Sequence, residues 1–453
     1  MINKDADRKT RRDFLKRSAS LMAGAYSIPY IITSNVLGSG GVRPPSERIT
    51  IGHIGVGGMG GGHVRGFAGR LDSQSIATCD PVKDRRETWA KYLDDSYAQK
   101  SPTKNYKSCT AYNDFRQLLA RDDLDAVVIA TPCHWHVPIA IAAARAGKDI
   151  YVEKPLGLAL TWDMELRETA ARYGTVIQYG TQQRSGKDFR FVCESVRNGR
   201  IGKLQKIFVW CAPGQPGGSL EPMPIPEGFD YDLWLGPSPM VPFNEDRCFK
   251  RGKNWIADYA LGFIAGWGAH PLDIAQWGND ADNTSPIEYQ GTGIFPRDGL
   301  FDTAISWDIK CRYENDVELH FVSADVAKPI VEKYGIDNSY GTMFIGSEGW
   351  LNVDRRHGYA GDPSMLRSGI GPDEIRLKKS LDHKQDFIDC IRSRSVPVSP
   401  ITAAVRSDTI SHLCDIAMRL GRKIKWDPVN ETVIGDEAAS RMLSRPMRSP
   451  WTL

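Results

Sequence analysis

The chain has 453 residues, 41% hydrophobic and 25% charged, which suits a globular protein of two or three domains with a substantial core. Its formal net charge of +3 is concentrated at the start: residues 1–38 carry seven Lys/Arg and three Asp/Glu, and the remainder stands at −1, which argues against nucleic acid as a partner. Nine cysteines lie scattered with no CxxC pair, so we expect buried free thiols rather than a disulfide framework or a zinc site.

At the N-terminus, Thr10-Arg11-Arg12-Asp13-Phe14-Leu15-Lys16 precedes the apolar run Leu21 to Ile32 and resembles a twin-arginine export signal. The run is too short to span a bilayer, which needs about twenty residues. We therefore expect residues 1–38 to be a leader recognised by the twin-arginine export machinery, and the protein to be periplasmic or otherwise exported. No small-residue cleavage site is evident, which leaves a retained anchor open. Ser39 to Glu47, with Gly40-Gly41 and Pro44-Pro45, reads as a linker.

Next comes Ile49 to Ile54, a short β-branched run that feeds into Gly55-Val56-Gly57-Gly58-Met59-Gly60. That is the spacing of a dinucleotide-binding turn. Gly55 would allow the tight turn, Gly57 would let backbone approach a pyrophosphate, and Gly60 would let the next helix lie close to the strand. A second apolar run, Ser75 to Cys79, ends in Asp80, where a carboxylate can take ribose hydroxyls. The acid favours NAD, while Lys83, Arg85 and Arg86 keep NADP open.

Strands are predicted at Ile49–Ile54, Ser75–Cys79, Ala126–Ala130, Asp149–Val152 and Val176–Gln178. Helices are predicted between them at Met59–Gly69, Lys83–Tyr97, Val137–Ala146 and Leu160–Tyr173. This is the alternation of a doubly wound parallel Rossmann sheet over residues 48–179, whose site lies at the carboxyl ends of the strands. From Gly180 the pattern changes. A helix at Lys187–Asn198 and a strand at Leu204–Trp210 precede Pro213 to Pro242, a stretch with eight prolines that suggests a surface wrap, a lid or a subunit contact. Thr303–Tyr313 with Val317–Ser323, and Thr342–Gly346 with Trp350–Val353, read as antiparallel hairpins. Helices at His383–Ser393 and Ala403–Gly421 complete residues 180–453 as an α+β domain with an open, mostly antiparallel sheet, a substrate and oligomerisation domain in an overall α/β chain. We expect a homo-oligomer.

Two further segments carry chemistry. Ala130-Thr131-Pro132-Cys133-His134-Trp135-His136 and Val152-Glu153-Lys154-Pro155 each follow a strand and reach the same edge as the glycine turn. With them the chain resembles the Gfo/Idh/MocA family of glucose-fructose oxidoreductase and inositol dehydrogenase, in which the lysine of a Glu-Lys-Pro triplet reaches the nicotinamide and the substrate hydroxyl. Gly266-Trp267-Gly268-Ala269-His270-Pro271-Leu272-Asp273 resembles the family's second-domain signature, except that Gly266 stands where an aspartate is expected. The tail and leader resemble a secreted bacterial branch.

The resemblance implies an NAD-dependent oxidoreductase, with NADP possible, acting on a secondary alcohol of a sugar or cyclitol. It implies cofactor contacts from Gly55, Gly57, Gly58, Met59, Gly60, Asp80, Thr131, Pro132, His136, Glu153 and Lys154. His270 is the expected base and Lys154 the alkoxide stabiliser, while Asp273, at i+3, would fix the His270 tautomer. Gln182, Arg184 and His270 are candidate substrate contacts. A metal on His134 and His136 is not expected, because no third ligand has suitable spacing.

An exported nicotinamide enzyme has no free cofactor pool to draw on, so a retained dinucleotide and a redox cycle closed within the site are expected. Two other readings stay open. One is an NAD-dependent glycoside hydrolase or lyase that oxidises transiently, and the other is a cofactor-bearing carbohydrate-binding protein without turnover.

Overall fold

A computed structural model of the chain describes residues 47–100, 106–250 and 252–453. The expected leader lies outside the described residues, as does nearly all of the linker. The first strand, β1 (Ile49–Ile54), leads into α1 (Gly58–Ala68), then β2 (Ser73–Cys79), α2 (Lys83–Lys100), β3 (Thr110–Tyr112), β4 (Ala126–Ile129), α3 (Cys133–Arg145), β5 (Asp149–Val152), α4 (Leu160–Tyr173) and β6 (Ile177–Tyr179). These strands form one parallel sheet in the order β3-β2-β1-β4-β5-β6. The inner strands β4 and β5 are buried along their whole length, as a sheet covered on both faces requires. The order reverses direction beside β1, and there the strand ends open the crevice in which such sheets bind ligands.

The helix α3 starts at Cys133, four residues before the predicted Val137, so His134 and His136 stand on its first turn rather than on a loop. Pro138 suggests a helix start by its preference for the first turn. The turn is already closed upstream, with Trp135 donating its N–H to the Pro132 carbonyl at 3.0 Å.

After α5 (Lys187–Arg197) and β7 (Leu204–Cys211) the proline-rich segment carries one short helix, α6 (Tyr231–Leu235), and then α7 (Ala269–Gly278). A second sheet follows, built from β7 with β8 (Glu288–Ile294), β9 (Ser306–Arg312), β10 (Glu318–Ser323), β11 (Gly341–Gly346), β12 (Trp350–Val353) and β13 (Gly358–Ala360). After α8 (His383–Ser393) and α9 (Ile401–Leu420), β14 (Ile424–Asp427) and β15 (Thr432–Val433) complete it. Its order is β13-β12-β11-β7-β10-β9-β8-β14-β15, antiparallel except where β10 runs parallel to β7. Both predicted hairpins are present, and β9 starts three residues late because Asp302 and Thr303 donate their N–H groups to the Trp255 carbonyl.

The strand β8 went unpredicted because Gly291 and Gly293 blunt its pattern. A Cβ at Gly293 would lie 2.3 Å from Met418 Sδ, so this glycine makes the room through which α9 crosses the strand. Two helices depart from the division at Gly180: Ala404 and Val405 of α9 pack with Ile150, Val152 and Ile177, and α8 joins the first sheet as well. On α8, Phe387, Ile388, Cys390 and Ile391 pack with Ile51, Ala126, Val128 and Tyr151 of the first sheet. Residues 49–453 form one compact unit, and seven of the nine cysteines are buried as free thiols.

Candidate active site

The glycine turn divides its work by position. Gly55 has φ +80°, and a Cβ on it would lie 2.7 Å from the Thr131 nitrogen. A Cβ on Gly60 would lie 1.8 Å from the Gly55 carbonyl oxygen, so α1 rests directly on the turn. Gly57 and Gly58 differ, because an added Cβ would meet only Arg85 at 3.8 Å from the first and nothing within 4 Å of the second. No packing demands these two glycines; they leave bare backbone facing a cavity. The helix N-terminus there carries no side-chain cap, so its free N–H groups and positive dipole end suit a pyrophosphate.

The Asp80 carboxylate accepts from Val56 N at 3.0 Å and from Val82 N at 2.9 Å, which ties the glycine turn to the loop after β2. Burial pushes its pKa up, against the pull of those N–H groups and of Arg85. Of the three basic residues beside it, Arg85 lines the cavity, while Arg86 is engaged with the Asp80 carbonyl and Asn113.

The same cavity, of about 290 Å³, is lined by Gly55, Gly57, Gly58, Met59, Asp80, Thr131, Pro132, His136, Glu153 and Lys154. His136 clamps two strand ends together, with Nδ1 at 2.7 Å from the Pro155 carbonyl and Nε2 at 2.8 Å from that of Thr131. His134 donates to the Trp234 carbonyl at 2.9 Å, so both rings are spent on backbone. Glu153 accepts from His63 and Gln182, each at 2.8 Å; burial pushes its pKa up, but His63 first, then Lys154 and His136, bring it below its usual value.

The proline-rich segment closes over this cavity. Lys83 N donates to the Gly228 carbonyl, and Asp230 N donates to that of Pro81. The Asp230 carboxylate caps α6 through Leu233 N at 3.0 Å and accepts from Asn113 at 2.6 Å. Phe229, Tyr231, Trp234, Phe243 and Tyr259 form an aromatic cluster above, and Leu233 and Trp234 line the cavity. Of the three expected roles, the lid is the one this geometry fits.

A second cavity, of about 550 Å³, lies on the far side of Lys154 and is lined by Gln182, Gln183, Phe189, Trp267, His270 and Arg355 among others. The two cavities share Met59, Lys154, Phe263 and Gly266. Lys154 Nζ donates to the Gly266 carbonyl at 2.6 Å, so the backbone at this position anchors the ammonium where a carboxylate was expected. A Cβ on Gly266 would meet only Phe263, at 3.6 Å, so packing does not require the glycine. Burial lowers the Lys154 pKa, partly offset by Glu153. Burial first, then the Lys154 and Arg355 cations, push the His270 pKa well below its usual value and keep the ring neutral at neutral pH.

Two expectations fail here. Asp273 does not bond to His270, whose buried Nδ1 has no partner among the described residues. Instead Arg184 holds Asp273 in a bidentate pair at 2.7 Å and 2.7 Å and also grips Asp282. Arg184 is therefore a buried structural cation and lines neither cavity, so it is not placed to contact substrate. The i+3 spacing does set both residues on α7, but that helix is buried all round, and its Asp273 side meets Arg184 and Ser407 rather than the site. Arg355 and Trp267 went unpredicted as site residues, as did the helix α6 within the proline-rich stretch. The only available hint was that Arg355 closely follows the predicted strand Trp350–Val353.

Family models match both halves of the chain. An oxidoreductase-family model described as an NAD-binding Rossmann fold matches residues 49–181, and its partner model, a C-terminal alpha/beta domain, matches 198–328 and 372–453. The chain belongs to the Gfo/Idh/MocA family. This Gfo/Idh/MocA chain is similar in fold to the WlbA dehydrogenase of Bordetella pertussis, solved with NADH and UDP-GlcNAcA, at TM-score 0.60 and 15% identity over 84% of this chain and 99% of that one. It is also similar in fold to myo-inositol 2-dehydrogenase of Lactobacillus plantarum, at TM-score 0.56 and 16% identity over 83% and 99%. In sequence it is 33% identical over 205 residues to a glycosyl hydrolase family 109 protein of Shewanella pealeana. It is 30% identical over 208 residues to an alpha-N-acetylgalactosaminidase of Shewanella oneidensis. Each match takes in 43% of this chain and 44% of the relative, so the likeness spans less than half of either protein.

Proposed function

We propose that this chain is an exported NAD-dependent enzyme that oxidises a secondary alcohol of a sugar or cyclitol and keeps its dinucleotide through the cycle. The observation that carries this reading is the meeting of two cavities at Lys154, with the glycine turn on one side and His270 on the other. A bound dinucleotide supplies the hydride acceptor. The chain's own residues handle the proton. Neutral His270 accepts it from the substrate hydroxyl, and the Lys154 ammonium, fixed by the Gly266 carbonyl, stabilises the developing alkoxide. Phe263 and Trp267 line the substrate side and offer apolar faces to a sugar ring. The α6 lid supports cofactor retention, which an exported enzyme without a free nicotinamide pool needs.

The names of the curated relatives favour a second outcome on the same site. A ketone formed transiently acidifies the neighbouring C–H, permits elimination of a glycosidic substituent, and is reduced again within the turnover.

The test is to purify the protein, denature it and assay the dinucleotide released; near-stoichiometric NAD is expected. Lys154→Ala and His270→Ala should each lower turnover at least about a hundredfold with NAD content unchanged. Unaltered turnover in both would leave a binding protein as the better account. Accumulation of bound NADH on adding sugar indicates net oxidation, and glycoside cleavage without it indicates the transient cycle.

A further inference from the structure

We propose that the substrate cavity takes a sugar bearing an oxyanion, with Arg355 as the group that receives it; this rests on the reading of the second cavity as the substrate site. Among the described residues that line this cavity there are two cations, Lys154 and Arg355, and no aspartate or glutamate. The acids nearby are spent elsewhere: Glu153 faces the cofactor side and is bonded to His63 and Gln182, and Asp273 is bonded to Arg184. Gly266 removes one more carboxylate from the position where the family pattern places it.

Arg355 is held ready. Its guanidinium lies over the Trp267 ring at 4.9 Å, Trp267 stacks on Tyr340 at 4.7 Å, and the Arg355 backbone N–H donates to the Tyr340 hydroxyl at 3.2 Å. Stacking fixes the plane of the fork and leaves its in-plane N–H groups directed outward. With the Gln183 amide oxygen turned towards it, Nε has one contact at 3.3 Å, and Arg355 forms no ion pair among the described residues. Its neighbour Arg356 makes the contrast, because it pairs with both Asp337 and Asp354. An open cleft holding an exposed, stacked guanidinium without an ion pair, beside aromatic faces, suits a sugar ring stacked on an aromatic with a carboxylate or acid ester on the fork.

The experiment is equilibrium titration of the NAD-loaded full chain with glucose, glucuronate, glucose 6-phosphate and glucose 6-sulfate, read by calorimetry. At least one anionic sugar should bind about tenfold or more tighter than glucose, and the advantage should shrink as salt rises. Which anion wins separates a sugar acid from an ester. Arg355→Gln should bring that ligand down to the affinity of glucose, and Arg355→Lys should restore only part of the difference, since it keeps charge but not the planar fork. Arg356→Gln, beside it and already paired, should retain the preference. Equal binding of all four sugars, no binding by any of them, or an anion preference that survives Arg355→Gln overturns the proposal. An Arg355-dependent preference with no reduction of bound NAD by any sugar would instead sink the redox reading and leave the anion site standing.

Discussion

Asp273 and Arg184 show how far residue type and spacing carry. A histidine followed at i+3 by an aspartate suggests a tautomer-setting pair, yet the aspartate is gripped by a guanidinium 89 positions earlier in the chain. Removing Asp273 leaves the buried Arg184 paired with Asp282 alone and takes away the partner of its Nε. We expect Asp273→Ala to cost about 1–3 kcal/mol of stability, the range for a buried polar group that loses its partner. The measurement is the midpoint of denaturant unfolding beside the turnover of whatever remains folded. A variant of full stability with turnover reduced a hundredfold would return Asp273 to the catalytic role. By contrast, the glycine turn was legible: Gly55 and Gly60 have no room for a side chain, Gly57 leaves backbone bare towards the cavity, and such a turn writes itself into closely spaced letters.

Among the elements, α6 governs the site without touching substrate, and the loop after β5 carries Lys154 into it. Asp230 caps α6 and also receives Asn113, so it ties the lid to the first sheet. Asp230→Ala should cost about 1 kcal/mol, typical of a lost N-cap, and should speed release of bound NAD. Dilution of protein loaded with NADH, with the change in dihydronicotinamide fluorescence on release as the readout, checks this, and an unchanged release rate would remove α6 from the account of retention. Behind the Glu-Lys-Pro loop, Asp408 accepts from Leu156 N at 2.9 Å, with Asp163 and His412 close by. Burial first, then the charge of Asp163, push its pKa from 3.8 up to about 7. The folded state therefore holds an extra proton between those values. The stability this group contributes is complete below the unfolded value and is lost as pH rises through the folded one. Asp408→Asn keeps an acceptor for Leu156 but cannot titrate. Urea unfolding of both proteins across this window should show the variant gaining on the native chain as pH rises, then a constant difference. No change in that difference would mean that Asp408 is ionised throughout.

For the whole molecule, the proposed export and the proposed retention of cofactor stand together. On the proposed export reading the pair acts as an address, so Arg11→Lys with Arg12→Lys should leave folded, NAD-loaded protein inside the cell. Normal export of that variant would contradict the twin-arginine reading. The second sheet brings Gly266 and His270 to the face of the first, and α8 returns to cover the first sheet's back, so loading with NAD should raise the thermal stability of the chain as one unit.

What the sequence by itself determined are the features whose physics is local. The glycine turn, the short apolar strands of a parallel sheet and the change to period-two hairpins each follow from backbone geometry or side-chain alternation within a few residues, while the Glu-Lys-Pro triplet was legible through the family resemblance. Tertiary structure alone decided who meets whom. The Gly266 carbonyl takes Lys154 from 112 positions away, Arg184 takes Asp273, Arg355 comes to lie on Trp267, and a proline-rich connector becomes the cofactor's lid. A local pattern settles which side of its own element a residue occupies. The partner on that side is set by how distant elements pack, and no short window of sequence carries that information.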